Sequence, residues 1–181
     1  MAEWQRKVAV VQGDITDEDC DVIVNAANEE LAPGGGVCGA IHRAAGPGLA
    51  QECGEIGFCP PGEAVMTGAF DLSCRRVVHA VGPIWGAGAG DEEDDLLASC
   101  YTASLRLAAD AGFRSIAFPC ISTGTYGFPA DRACRVALAA VRAGLEEYPG
   151  IAEVRLVCWL PTDVELYERA LAGGDPTDRE S

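Results

Sequence analysis

Short apolar, β-branched runs alternate along the chain with longer stretches in which apolar residues recur every three or four positions, the period of a helix with one buried face. Strands are predicted at Val8 to Gln12 and Val22 to Ala26, with Gly13-Asp14-Ile15-Thr16-Asp17 turning between them. A loop from Asn28 to Gly36 leads into a helix from Val37 to about Ala45, closed by Gly46-Pro47. A second short helix, Leu49 to Ile56, stops at Gly57 and the breaker Cys59-Pro60-Pro61-Gly62. Strands follow at Ala64 to Thr67 and Val77 to Val81, then a glycine-rich loop from Gly82 to Gly90. The acidic run Asp91 to Asp95 reads as a solvated helix start that suits the helix dipole, and Leu96 to Ala111 carries helical spacing. Ser115 to Pro119 is a compact strand, Ile121 to Pro129 a polar loop, Ala130 to Glu147 a long helix and Val154 to Leu160 the last strand. Thr162 and Glu165 are spaced as a capping box for a final helix to about Leu171, and 173–181 is a polar tail expected to lack order.

Strands that alternate with helices predict a mixed, mostly parallel sheet with helices on both faces, a three-layer α/β/α domain over residues 1–172. A chain of 181 residues, 49% of them hydrophobic, has the length and apolar content of one such domain. Ligands of these sheets sit beyond the carboxyl ends of the strands, where both loops that carry glycines fall. The nine cysteines are odd in number and include no C-x-x-C pair, which suits small buried hydrophobes in a reducing cytoplasm. Only Cys38 and His42 approach metal-ligand spacing, so no metal or other cofactor is expected. The formal net charge of −15 opposes binding to nucleic acid or to an anionic membrane, and a monomer without membrane partner is expected. An anion would have to be held locally, by oriented backbone N–H groups and helix N-termini.

Two segments supply such groups. Pro33-Gly34-Gly35-Gly36-Val37 lets the backbone approach a ligand closely and leaves the first N–H groups of the following helix pointing outward, although glycine runs also serve as plain connectors. Ile121-Ser122-Thr123-Gly124-Thr125-Tyr126-Gly127-Phe128-Pro129 follows a strand and precedes a long helix, adding a second set of donors across the sheet edge. A pair of such loops fits a diphosphate better than a single phosphate.

The chain also resembles a known family. Gly13-Asp14-Ile15-Thr16, Val24-Asn25-Ala26-Ala27-Asn28, Gly34-Gly35-Gly36-Val37 with Gly39-Ala40-Ile41-His42, Val78-His79-Ala80-Val81-Gly82-Pro83, and Ala117-Phe118-Pro119-Cys120-Ile121-Ser122-Thr123-Gly124 are similar to the successive signatures of macrodomains. The match runs in order from about Val8 to Leu171, within the branch of O-acetyl-ADP-ribose deacetylases and mono-ADP-ribosyl hydrolases. The resemblance implies that Asp14 accepts from the adenine amino group with the Ile15 backbone beside it, and that Trp159 stacks on adenine. It implies Gly35, Gly36 and Val37 on one side of the diphosphate, Ser122, Thr123, Gly124, Thr125 and Tyr126 on the other, and Asn25 and Asn28 at the distal ribose. A turn-forming role for Asp14 and a core role for Trp159 stay open beside these. The implied partners are ADP-ribose or O-acetyl-ADP-ribose and mono-ADP-ribosylated proteins.

One departure matters. After the glycines the hydrolytic branch reads Val-Asp-Gly, with the aspartate positioning or activating water; here that position is Cys38. Three readings stand. In one, Asn28 and the ligand's phosphate orient water, Cys38 is a neutral wall and Thr125 helps hold the water. In another, Cys38 is a thiolate paired with His42, one turn on. In the third, hydrolysis is lost and the domain only reads ADP-ribose. His42 has a plainer role as a hydrogen-bonded packing residue.

Overall fold

The computed structural model describes residues 1–173, and the tail expected at 173–181 lies, from residue 174 on, outside the described residues. Six strands form one sheet: β1 (Val8–Gln12), β2 (Val22–Ala27), β3 (Ala64–Gly68), β4 (Arg76–Val81), β5 (Ser115–Phe118) and β6 (Glu153–Cys158), in the spatial order β1-β6-β5-β2-β4-β3. Every neighbouring pair runs parallel except β3 against β4. The helices are α1 (Glu3–Arg6), α2 (Gly36–Ala45), α3 (Pro47–Ile56), α4 (Asp91–Asp110), α5 (Ala130–Glu147) and α6 (Pro161–Leu171).

Strand alternation sorts the core into two layers. Val22, Val24, Val78, Ala80, Ile116 and Phe118 join one cluster, with Leu97 and Leu105 of α4, Val141 of α5 and Tyr167 of α6. Their sequence neighbours Ile23, Val77, Val81 and Ala117 join the other, with Ile41 and Ala45 of α2 and Leu49 and Cys53 of α3. The sheet is therefore covered on both faces, as a three-layer α/β/α fold requires. A slip of one residue in any central strand would exchange its two faces, so the register is strongly specified.

The acidic run is the helix start expected of it, the first turn of α4, with Glu93 reaching back to accept from the Gly90 N–H at 2.7 Å. One expectation needs correction. Thr162 does not cap α6: the helix begins at Pro161 with Leu160 as its cap residue and no side-chain cap bond. Proline at the first position already has helical φ and lacks the N–H a cap would satisfy, which starts the helix one residue earlier. The cysteines are all free, and all but Cys120 are buried.

On the face covered by α2 and α3, three strands each turn one polar side chain inward: Asn25 of β2, its register neighbour His79 of β4, and Thr67 of β3. Thr67 Oγ1 lies 3.0 Å from the Gly68 carbonyl and 2.8 Å from His79 Nε2. The hydroxyl donates to the carbonyl, so it accepts from the imidazole, which leaves His79 Nδ1 to accept from Asn25 Nδ2 at 3.1 Å. Burial, reinforced by His42 nearby, pushes the pKa of His79 down to about 4. This depression predicts a pH dependence. The unfolded chain takes up a proton on His79 that the native state refuses, so stability is full above about pH 6.5 and falls as the pH drops toward 4, by up to about 3 kcal/mol. Urea unfolding at pH 7.5, 6 and 5 should show that fall and show it flattened in His79→Gln; an unchanged slope in the variant would refute it.

Candidate functional site

The ends of β2, β4, β5 and β6 deliver four loops to one edge of the sheet. After β2, Asn28 closes a small ring on its own loop: its Nδ2 donates to the Ala32 carbonyl at 2.9 Å and its Oδ1 accepts from the Ala32 N–H at 3.0 Å. Leu31, with φ 56°, drops its side chain into the core and turns the chain toward Gly34. The glycine segment then lies directly on α2, because Gly39 has no Cβ: one built there would collide with the Gly34 carbonyl oxygen. Gly35 is the cap residue of α2 and offers no side chain, so the N–H groups of Gly36, Val37 and Cys38 have no acceptor from the helix or from a cap.

The loop after β5 is held more tightly. Ser122 sits at φ 67°, a conformation that costs a non-glycine residue about 1–3 kcal/mol and persists only where its surroundings enforce it. The Ser122 carbonyl accepts from the Phe128 N–H at 2.9 Å, and the Gly124 carbonyl accepts from Gly127 at 3.0 Å. Against this loop lies Gly82, at the end of β4, where any Cβ would strike Ser122 Oγ and Ile121. The Trp85 N–H donates to the Tyr126 carbonyl at 2.8 Å, and the Trp85 ring packs on Phe128 with centroids 4.7 Å apart. These bonds consume carbonyls. Among the described residues nothing accepts from the N–H groups of Thr123, Gly124, Thr125 and Tyr126.

Between the two loops opens a cleft of about 330 Å³. Of the residues expected to bind ligand, Asn28, Gly35, Gly36, Val37, Cys38, Ser122, Gly124, Thr125 and Tyr126 line it. Ala26, Ala27, Gly34, Gly82, Cys120 and Ile121 complete the wall, and no lining side chain is charged. Ser122 Oγ is buried without a partner. Burial, with Glu29 and Glu30 nearby, raises the Tyr126 pKa and keeps its hydroxyl a donor.

Other expected residues lie elsewhere. Asn25 does not line the cleft: it is 1% exposed and sits beneath it, its Nδ2 shared between His79 and the Cys38 sulfur at 3.7 Å. The strand period explains this, since Asn25 shares its face with Ile23 and Ala27. The Thr123 hydroxyl folds back to donate to the Cys120 carbonyl at 3.1 Å, so only its backbone remains for a ligand. Cys38 also donates to the Ala32 carbonyl at 3.6 Å. His42 is no partner for it: both ring nitrogens are buried without a hydrogen bond, and burial lowers the His42 pKa. The thiolate dyad is not formed, and neither is the hydrogen-bonded packing role.

At the far end of the edge, Asp14 accepts from the Thr16 N–H at 2.9 Å and the Thr16 hydroxyl at 2.7 Å through a single oxygen, leaving the other unbonded. The Gly13 N–H donates to the Cys158 carbonyl at 3.0 Å, which sets Asp14 and Ile15 beside the end of β6. Trp159 follows there and is 70% exposed, so it is no core residue. Arg155 clamps this corner, its guanidinium reaching Glu18, Asp19 and Glu153, each at 2.7 Å. Sequence reasoning missed Arg155, Gly82 and Cys120 as site-building residues. Gly82 and Cys120 stand inside quoted motifs, whereas nothing local marks Arg155.

The chain matches the family described as Macro domain over residues 24–137. A Macro domain-containing protein of Listeria monocytogenes serotype 4b is 53% identical over 171 residues, covering 91% of this chain and 97% of its own length. The O-acetyl-ADP-ribose deacetylase of Cronobacter sakazakii is 49% identical over 173 residues, covering 93% and 96%. A mutant macrodomain of Oceanobacillus iheyensis solved with ADPR superposes with a TM-score of 0.87 at 41% identity, over 91% of both chains. The Trypanosoma brucei macrodomain in complex with ADP-ribose gives 0.86 at 41% identity, over 92% of this chain and 69% of that one. With the family's match over most of the chain and relatives near half identical along its length, this chain belongs to the Macro domain family.

Proposed function

We propose that the chain binds ADP-ribose along the carboxyl edge of its sheet and hydrolyses ester-linked ADP-ribose there. The observation that carries the reading is the uncharged cleft with two sets of unpaired backbone N–H groups, from Gly36 to Cys38 and from Gly124 to Tyr126. Fixed donors of this kind compensate a diphosphate without a cation. The adenine end would lie over Trp159, with the free oxygen of Asp14 accepting from the ring's amino group. The distal ribose would reach Asn28, Cys38 and Thr125. Relatives named O-acetyl-ADP-ribose deacetylase and structures solved with ADP-ribose support both halves of the proposal.

For the chemistry, the Cys38 thiol donates to Ala32 and accepts from Asn25, which suits a neutral wall. Water would be oriented by Asn28, by Thr125 and by the ligand's own phosphate, and would attack the ester of an acidic side chain or of an acetyl group. Asn28 keeps a hydrogen on Nδ2 and a lone pair on Oδ1 beyond those used on Ala32. One observation favours a second reading, a non-catalytic reader: no carboxylate lines the cleft.

Three outcomes are expected. Incubated with glutamate-linked mono-ADP-ribosylated protein or with O-acetyl-ADP-ribose, the purified chain should release ADP-ribose by mass spectrometry. Calorimetric binding of ADP-ribose with no release would establish the reader, and no binding at millimolar nucleotide would end the proposal. Cys38→Ala should keep kcat/KM within about threefold, and Cys38→Asp should gain less than about tenfold, because a carboxylate can only accept and would face the Ala32 carbonyl. A collapse of the alanine variant would make the thiol essential. Gly39→Ala should displace the Gly34 carbonyl and weaken ADP-ribose binding tenfold or more, about 1.4 kcal/mol, while circular dichroism stays native. Unchanged affinity would show that the first loop does not hold the ligand.

A further inference from the structure

We propose that Cys120 and Cys158 form an oxidisable dithiol at the floor of the cleft, whose closure to a disulfide loosens the grip of the loop after β5. The effect on nucleotide rests on the proposed function; the cross-link does not. The two sulfurs lie 3.7 Å apart, the one sulfur–sulfur hydrogen bond among the described residues. Their placement follows from the sheet. β5 and β6 pair with a constant offset, Ser115 with Glu153 through Phe118 with Leu156, and Cys120 and Cys158 extend that register past the end of β5. Parallel neighbours stand about 4.8 Å apart, inside the roughly 4.4–6.8 Å that a disulfide spans between its Cα atoms. Both residues pack with the same core cluster, so the side chains share a face.

The two thiols differ in access. Cys120 lines the cleft and is partly exposed, whereas Cys158 is fully buried. The hydrogen bond to Cys158 and burial hold the Cys120 thiol above the usual range, so oxidation runs through a small thiolate fraction. With a peroxide as oxidant, the Cys120 thiolate attacks one peroxide oxygen, the O–O bond breaks, and sulfenic acid and one water result. The Cys158 thiolate then attacks the sulfenyl sulfur, an S–S bond forms and hydroxide leaves as a second water. The dithiol loses two electrons and two protons, and the peroxide takes up both.

Closure shortens the sulfur separation to about 2.05 Å. Side-chain rotation takes up part of the change, and the rest moves the Cys120 backbone, which leads directly into Ile121 and the strained Ser122. Donors of the following loop then leave hydrogen-bond range of the diphosphate.

The test treats the reduced full chain with hydrogen peroxide at pH 8 and digests it without reductant. A Cys120–Cys158 cross-linked peptide, lighter by two hydrogens and cleaved by dithiothreitol, is expected. Independent oxidation of Cys120 to sulfinic acid, or cross-linking of other cysteines instead, would overturn the proposal. Hydrogen exchange at residues 121–126, measured without nucleotide, should rise on oxidation; an unchanged pattern would remove the coupling to the cleft. ADP-ribose affinity should fall about tenfold in the oxidised protein and return with dithiothreitol, while Cys158→Ala should bind alike before and after peroxide. Failure of the reduced protein to bind ADP-ribose would count against the proposed function and leave the cross-link and exchange results to judge the dithiol.

Discussion

A diphosphate brings negative charge to a chain whose own formal net charge is −15. No lining side chain offers a compensating cation, so attraction has to come from backbone dipoles at short range. Such dipoles count only when they are fixed in direction and free of other partners. The loops satisfy both conditions by the same means, a missing Cβ. Gly39 lets the first loop rest its Gly34 carbonyl on α2, and Gly82 lets Ser122 close against β4. Each contact uses a carbonyl or a surface and leaves N–H groups of residues that line the cleft without a protein acceptor. The positive φ of Ser122 belongs to this arrangement, since it reverses the chain and allows Phe128 to lock the loop through the Ser122 carbonyl.

Beneath the cleft, the sheet itself carries polarity where an apolar layer would be simpler. Thr67, His79 and Asn25 run across three strands to the Cys38 sulfur. A neutral His79 fixes the orientation of Asn25, and Asn25 in turn presents an N–H to residue 38. Asn25 Oδ1 has no partner in the protein, which marks the upper end of this chain as incompletely satisfied. The arrangement couples the floor of the cleft to the central strands, so a change in His79 reaches Cys38 through two hydrogen bonds.

Much of this could be read from the chain alone. Strands with full burial on both faces announce themselves as unbroken β-branched runs, and their glycine-bearing connections fall at one edge by the rule of parallel sheets. The parity of a strand was legible too, yet Asn25 looked like a ligand residue because it stands in a motif beside Asn28. Its phase with Ile23 and Ala27 places it under the sheet surface. Trp159 could not be assigned from pattern, since an aromatic after a strand suits core and edge equally. Its exposure comes from the strand ending one residue earlier, at Cys158. The αL turn at Ser122, the Cys120–Cys158 approach and the reach of Arg155 depend on contacts across the chain, and no local spacing encodes them.

Arg155 shows where the chain's few cations are used. It binds Glu18 and Asp19 on the turn after β1 and Glu153 on its own strand, so the Asp14 segment is tied to the strand that leads into Trp159. Arg132 works in the same way on the opposite flank, joining Asp94 at 2.7 Å and covering the Trp85 ring at 5.1 Å, while Trp85 supports the loop after β5. Exposed single ion pairs contribute only about 0–1 kcal/mol, so the value of these two arginines lies in position more than in stability. Each neutralises carboxylates beside a segment that positions the site, Arg155 next to the Asp14 turn and Arg132 next to Trp85. The cleft stays uncharged, its rims stay fixed, and the anion meets oriented N–H groups instead of a mobile side chain.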